Sequence, residues 1–310
     1  PALDDAPPAI GGKFFFVGDH KLYLRGVSYG PFGVTRHGFP FPDEPTLETD
    51  FRLMAELGAN CLRTFTVPPR WLLDRAAEHG LRVLITIPWA EHVCFLDDKV
   101  LVAEIRGTVR AAGETCGNHP ALFGFLIGNE VPPDIVRWYG PDRVRDFLRT
   151  LRDEVKERAP AALVSYANFP STEYLDVTDF VDFVSFNVYL HREVDFRRYL
   201  SRLQNIAEDK PLVLTEFGVD SLREGADRQA ELLSWMIRAG FESGVAGTFV
   251  FSWTDDWFTG GAQIADWAFG LVDADRQPKP AYRAVQAQYA APLPPRLERT
   301  PRVSVVVCAY

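Results

Sequence analysis

The sequence is short of the features that announce several large classes of protein. No stretch approaches the roughly 20 consecutive apolar residues of a membrane-spanning helix, and no charged-then-apolar leader opens the chain. Only four cysteines are present, at 61, 94, 116 and 308, with neither a Cys-x-x-Cys pair nor Cys/His spacing. A disulfide framework and a metal site are therefore not expected, and Cys61, inside an apolar run, reads as core. Long basic runs are missing too. Lys and Arg number 33 against 42 Asp and Glu, a net charge of −9, which suits a neutral ligand and excludes nucleic acid as a partner. No low-complexity segment appears.

What is abundant is apolar and aromatic. Hydrophobic residues make up 47% and charged residues 24%, the balance of a globular chain that buries a large core. Seven Trp, ten Tyr and 23 Phe reach 13%, more flat rings than a core alone requires, and such faces suit flat ligands. The chain opens at Pro1 without methionine and stops inside the apolar run at 305–310, so it is expected to be a piece of a longer protein.

Short apolar runs alternate with longer amphipathic segments, the pattern of repeated βα units around a parallel sheet. Eight strands are expected: Tyr23–Tyr29, Asn60–Thr66, Arg82–Trp89, Leu122–Asn129, Leu163–Asn168, Phe183–Tyr189, Leu212–Phe217 and Gly247–Trp253. Most are unbroken Val/Ile/Leu/Phe runs, as in strands buried on both faces. Between them, Thr46 is expected to cap a helix that Gly58 ends, Pro69 opens a helix ending at Gly80, and further helices span Val100–Cys116, Arg143–Arg158, Asp195–Glu208, Asp227–Ser243 and Ala281–Tyr289. A hairpin about Gly18-Asp19-His20 should plug the N-terminal mouth. The expected architecture is a single α/β domain, a (β/α)8 TIM barrel over residues 11–290 with an N-terminal β-hairpin. A proline-rich linker over 291–301 and a stub of a further domain over 302–310 follow.

In such barrels the reacting groups stand at the C-terminal ends of strands. Reading only those ends selects Arg63, Trp89, Asn129, Glu130, Tyr189, Glu216 and Trp253. Glu130 and Glu216 each close an apolar run, where an unpaired carboxylate is costly unless it is used. On the fourth and seventh strands they would face each other across the mouth. Mutual repulsion then divides their roles, one ionised to attack an anomeric carbon, the other protonated to serve the leaving oxygen. The structural alternative is a pair of separately satisfied ion pairs. Trp89 and His92 follow the third strand, and Trp138, Tyr139, Trp257, Phe258 and Trp267 lie in the loops after the fourth and eighth. Each is open between lining a sugar site and ordinary loop packing.

Gly128-Asn129-Glu130, Thr215-Glu216-Phe217-Gly218, the Trp253 strand end and Gly270-Leu-Val-Asp-Ala-Asp-Arg-Gln-Pro-Lys-Pro280 together resemble clan A glycoside hydrolases, closest to the barrels of families 2 and 5, over roughly Lys13 to Tyr289. The resemblance implies that Glu130 is the general acid/base and Glu216 the nucleophile of a retaining double displacement. It also implies that Asn129 bonds the sugar 2-hydroxyl, that Arg63 and Tyr189 donate to the nucleophile, and that Trp253, followed by a cis peptide, floors the sugar site. Trp89, His92 and Trp257 complete the expected substrate-binding set. No metal or organic cofactor is implied, and the expected substrate is a β-linked oligosaccharide or glucan. Where many family 5 barrels carry His-x-Tyr, this chain has Asn187-Val-Tyr189.

The tail, Pro301-Arg-Val-Ser-Val-Val-Val-Cys-Ala-Tyr310, resembles the opening strand of a family 2 glycosyltransferase. That resemblance implies a fused, sugar-polymerising partner domain, a barrel that processes its product, and a cytoplasmic location with membrane association through the rest of the protein. Two rival readings are a non-catalytic carbohydrate-binding barrel and a metabolic enzyme for a phosphorylated substrate. The phosphate reading requires a Gly-rich loop after the last two strands, where Asp220, Asp255 and Asp256 stand instead.

Overall fold

The computed structural model describes residues 3, 6–35, 38–292 and 302–307. The chain begins with three short antiparallel strands, β1 (Pro8–Gly11), β2 (Phe14–Val17) and β3 (His20–Leu22). Val17 pairs with His20 across the two-residue turn at Gly18-Asp19, with Gly18 at φ 57° as such a turn requires. The expected hairpin is therefore present, with an additional strand, β1, that its proline concealed.

Eight parallel strands follow and close into a barrel: β4 (Leu24–Tyr29), β5 (Cys61–Thr64), β6 (Arg82–Thr86), β7 (Leu122–Asn129), β8 (Leu163–Asn168), β9 (Val184–Asn187), β10 (Leu212–Phe217) and β11 (Gly247–Val250). Neighbours in sequence are neighbours in the barrel, and β11 pairs with β4 to close it. Several strands are shorter at the C-terminal end than their apolar runs. There the ladder gives way to single bonds such as Ile87 N–H to Leu126 O and Val188 N–H to Glu216 O. A small hairpin of β12 (Trp257–Thr259) and β13 (Ala262–Ile264) stands on the loop after β11.

The outer layer comprises α1 (Glu44–Leu57), α2 (Arg70–Glu78), α3 (Lys99–Cys116), α4 (Pro133–Tyr139), α5 (Pro141–Arg158), α6 (Glu193–Ile206), α7 (Ser221–Glu224), α8 (Ala226–Glu242) and α9 (Pro280–Tyr289). The short α4 and α7 were not foreseen. Thr46 does not cap α1; Asp43 does, its Oδ1 accepting the Thr46 N–H at 3.2 Å, and Pro45 takes a first-turn position that needs no donor. Gly58 ends α1 as expected, at φ 87°.

Strand alternation sorts the core into two bodies. Outward residues such as Leu62, Val83, Ile85 and Leu214 pack against Leu47, Phe51, Leu72 and Met236 of the helices. Inward residues Leu24, Cys61, Leu84, Leu163, Phe183, Val213 and Phe249 fill the barrel's lower half, closed from below by Phe15 of β2. Gly26 belongs to that filling, because a Cβ there would stand 2.2 Å from the Phe249 ring. Beyond α9, most of the expected linker and the last residues of the stub lie outside the described residues. Within 302–307, no strand forms and Val303, Val305, Val306 and Val307 are exposed.

Candidate active site

One residue pair higher along the same inward faces, the barrel interior turns polar. Two positions after Cys61 comes Arg63, two after Leu84 comes Thr86, and two after Val213 comes Thr215. Arg63 is wholly buried, and its guanidinium organises the mouth. Nε donates to Thr86 Oγ1 (2.9 Å), Nη1 to Thr215 O (3.0 Å) and Glu216 Oε1 (2.7 Å), and Nη2 to Asn129 Oδ1 (2.7 Å). Its plane also lies 4.5 Å from the Phe65 ring centroid. A buried cation with this many acceptors is satisfied in place. Tyr189 supplies the other hold on Glu216: its hydroxyl donates to Oε2 at 2.8 Å while the ring edge reaches solvent. Burial, then the neighbouring Glu216 charge, push the Tyr189 hydroxyl well above its ordinary range, so it remains a donor.

Glu130 is held differently. Its backbone sits at φ 52°, an unusual conformation for glutamate. Three successive N–H groups fix it there: Asn129 N–H donates to Glu91 Oε1 (3.2 Å), Glu130 N–H to Ala167 O (2.9 Å) and Val131 N–H to the Tyr166 hydroxyl (2.8 Å). The carboxyl accepts one neutral bond, from Asn187 Nδ2 at 2.8 Å. Burial first, and the Glu216 charge second, raise its pKa from 4.5 to about 7. One carboxyl is thus clamped by a cation and a phenol, while the other is biased towards keeping its proton.

Asn129 Oδ1 also accepts from Asn187 Nδ2 at 3.1 Å. Because Arg63 can only donate, the oxygen must face it, which leaves the Asn129 NH2 without a partner among the described residues. Above these groups runs an aromatic wall. Phe251 lies 6.2 Å from Tyr189, 4.8 Å from Trp257 and 5.3 Å from Phe269 between ring centroids, and Trp257 continues to Phe65 (5.6 Å) and Trp267 (6.1 Å).

The structure thus brings together Arg63, Asn129, Glu130, Tyr189, Glu216 and Trp257. It does not bring in Trp253. That indole is fully buried, donates to Asp50 Oδ1 of α1 at 2.7 Å and packs on Tyr282 of α9, because the buried Asp50 carboxyl requires donors. The cis peptide precedes it, between Phe251 and Ser252, and Phe251 is the ring beside the carboxylates. Trp89 is a packed rim aromatic: its indole donates to Ile127 O at 2.8 Å and its ring abuts Phe95 and Phe147. His92 is exposed and makes no hydrogen bond, ion pair or ring contact among the described residues.

Three participants escaped sequence reasoning. Asn187 carries Glu130, and the only hint was its place in Asn-Val-Tyr at a strand end. Glu91, buried with no cation beside it, has its pKa raised to about 7 by that burial. Phe251, two residues before Trp253, was hidden by the more conspicuous indole.

A closed eight-stranded barrel with two carboxyls held in contrasting environments at its C-terminal mouth defines the class of barrel glycosidases. Residues 9–292 match the family described as glycosyl hydrolases family 2, TIM barrel domain, and the chain belongs to it. Among characterised relatives, a 1,3-beta-glucanosyltransferase of Candida albicans is 24% identical over 230 residues, covering 66% of this chain and 50% of that protein. A beta-glucuronidase of Streptococcus agalactiae is 26% identical over 201 residues, covering 56% and 33%. The beta-glucuronidase of Ruminococcus gnavus shares the fold at a TM-score of 0.77 and 19% identity, over 91% of this chain and 51% of that one. The chain spans between a third and about half of the length of these relatives. The family is one of glycosyl hydrolases, and the relatives it resembles include a 1,3-beta-glucanosyltransferase and beta-glucuronidases.

Proposed function

We propose that the protein is a retaining β-glycosidase or transglycosylase of a β-linked glucan or oligosaccharide. Glu216 would act as nucleophile and Glu130 as general acid/base. The observation that carries this reading is the contrast between the two carboxyls: Glu216 accepts from the Arg63 guanidinium and the Tyr189 hydroxyl, whereas Glu130, near pKa 7, has a single amide donor. Glu216 attacks the anomeric carbon, the glycosidic C–O bond breaks, and the Glu130 proton passes to the leaving oxygen. The resulting glycosyl ester is opened by water or a sugar hydroxyl, which loses its proton to Glu130 as it attacks. The free Asn129 NH2 is placed to bond a hydroxyl of the bound sugar.

A neutral sugar fits the mouth better than a uronic acid. The described arginines and lysine that stand there are engaged: Arg63 as above, Lys279 with Asp255, and Arg276 with Asp50 and Asp256. Phosphorylated substrates meet the same obstacle.

The test is incubation with activated 2-fluoro β-glycosides of glucose, mannose and galactose, followed by peptide mass mapping. Labelling of Glu216 by one of them is expected. No label and no turnover of any aryl β-glycoside would turn the assignment to a carbohydrate-binding barrel. Fusion to a glycosyltransferase, with the barrel processing its product at the cytoplasmic side, is proposed on the resemblance of residues 301–310 alone; expression of the longer reading frame and assay for both activities tests it.

A further inference from the structure

A second aromatic feature stands on the same face, outside the carboxylate cluster. The loops that leave β4 and β5 lead into α1 and α2, so the first turns of both helices rise from the C-terminal ends of neighbouring strands, beside the open mouth. Between them lies a recess of about 400 Å³, with Phe39, Phe41, Pro42, Glu44, Trp71 and Arg75 on its walls. Phe41 is buried beneath, while Phe39 and Trp71 remain 40% and 37% exposed. Their rings meet at 76° with centroids 6.3 Å apart, forming an open corner. Packing does not account for Trp71: α2 buries Leu72, Leu73 and Ala76 and turns Trp71 outward.

The polar groups at this corner suit a neutral, hydroxylated ligand. Arg75 bonds Glu44 Oε1 at 2.9 Å and Glu78 Oε2 at 2.8 Å, so its charge is balanced and an anion gains little there. Three guanidinium N–H groups, Glu44 Oε2 and the Trp71 indole N–H have no partner among the described residues. The volume falls at the small end of the roughly 300–1,000 Å³ range of small-molecule sites. A pyranose ring offers what the corner can take: an apolar C–H face for stacking and a rim of hydroxyls.

We propose that the Phe39–Trp71 recess is a second saccharide-binding site, which holds a neutral pyranose unit of a β-glucan chain on the catalytic face. The nature of the ligand rests on the function proposed above. The site makes the protein a better enzyme for polymers than for short glycosides, with no effect on chemistry at the carboxylates.

Native electrophoresis in gels containing laminarin, barley mixed-linkage β-glucan or hydroxyethyl cellulose reads binding without turnover when performed on Glu216→Gln protein. Retardation by at least one polymer is expected, and adding Trp71→Ala or the loop substitution Phe39→Ala should weaken it about fivefold or more. In otherwise native protein the same changes should raise KM for that polymer and leave kcat/KM for an aryl β-glycoside unchanged. Retardation that survives both substitutions overturns the site, as does the absence of retardation by any of the polymers. Trp71-dependent retardation in a protein that neither labels at Glu216 nor turns over any glycoside would uphold the site and remove the catalytic assignment.

Discussion

The barrel interior holds two chemically opposite halves built from the same strands. Below, Cys61, Leu84, Phe183 and Val213 meet Phe15 in an apolar plug; two or four residues on, Arg63, Thr86, Asn187 and Thr215 form a polar web. The strands β5, β6 and β10 contribute to both, so neither half can be called a separate core. The lower half is stabilised by removal of apolar surface from water and asks only for volume and shape. The upper half holds a buried cation whose acceptors are matched around it, together with Glu216, which that cation meets, and Glu91 and Glu130, which neutral donors meet instead. Stability should therefore respond to changes below, and catalysis and pH dependence to changes above.

The largest effect expected is on turnover. Glu216→Gln should cut kcat/KM for aryl β-glycosides by about 10⁴-fold or more with the thermal midpoint little changed. A comparable loss of midpoint would show that the two halves are not separable. Next is Phe15→Ala, which empties the plug of a ring held edge-on at 4.9 Å from Phe123 and 5.4 Å from Phe183. It should cost about 3–5 kcal/mol by chemical denaturation and leave kcat and KM unaltered well below the transition.

The third comparison uses pH. Glu91 and Glu130 are both raised from 4.5 to about 7, so the folded state binds their protons more tightly than the unfolded chain does. Their stabilising contribution is full below pH 4.5 and is lost as pH rises through about 7. Glu91→Gln should remove its share, up to about 3 kcal/mol, and so gain stability over the native protein at pH 8 but not at pH 4. In the native enzyme, kcat/KM should fall with rising pH as Glu130 deprotonates near 7. Tyr189→Phe, which deletes one donor to Glu216, should lower kcat/KM by about 10–100-fold with stability nearly unchanged. His92→Ala should be smallest, within about 0.5 kcal/mol and without effect on aryl glycoside turnover; a rate loss there would return His92 to the site.

Much of this was legible beforehand because each signal was local. Unbroken apolar runs alternating with 3.6-period segments specify βα units, and a glutamate ending such a run is conspicuous through its cost. The errors arose where a residue's role depends on what lies across the fold. Trp253 looked like a ligand platform until Asp50, about 200 residues away in sequence, proved to claim its indole. Asn187 looked like a departure from a motif until it was seen to carry Glu130. Trp89 and His92 shared a loop position, yet one is packed and the other exposed, and loop composition does not distinguish these outcomes.

The sequence by itself determined the barrel, the order of its strands and the two carboxyls at its mouth, because period, burial cost and strand ends are properties of short segments. Only the tertiary structure supplied the contacts behind the roles that the resemblance implied: the Arg63 and Tyr189 donors on Glu216, and the burial and lone Asn187 amide that bias Glu130 to stay protonated. It also decided which aromatic faces the site and that a second aromatic corner shares the catalytic face. Those outcomes are set by charge, dielectric and contact between groups that the chain keeps far apart and the closed barrel brings within 3 Å.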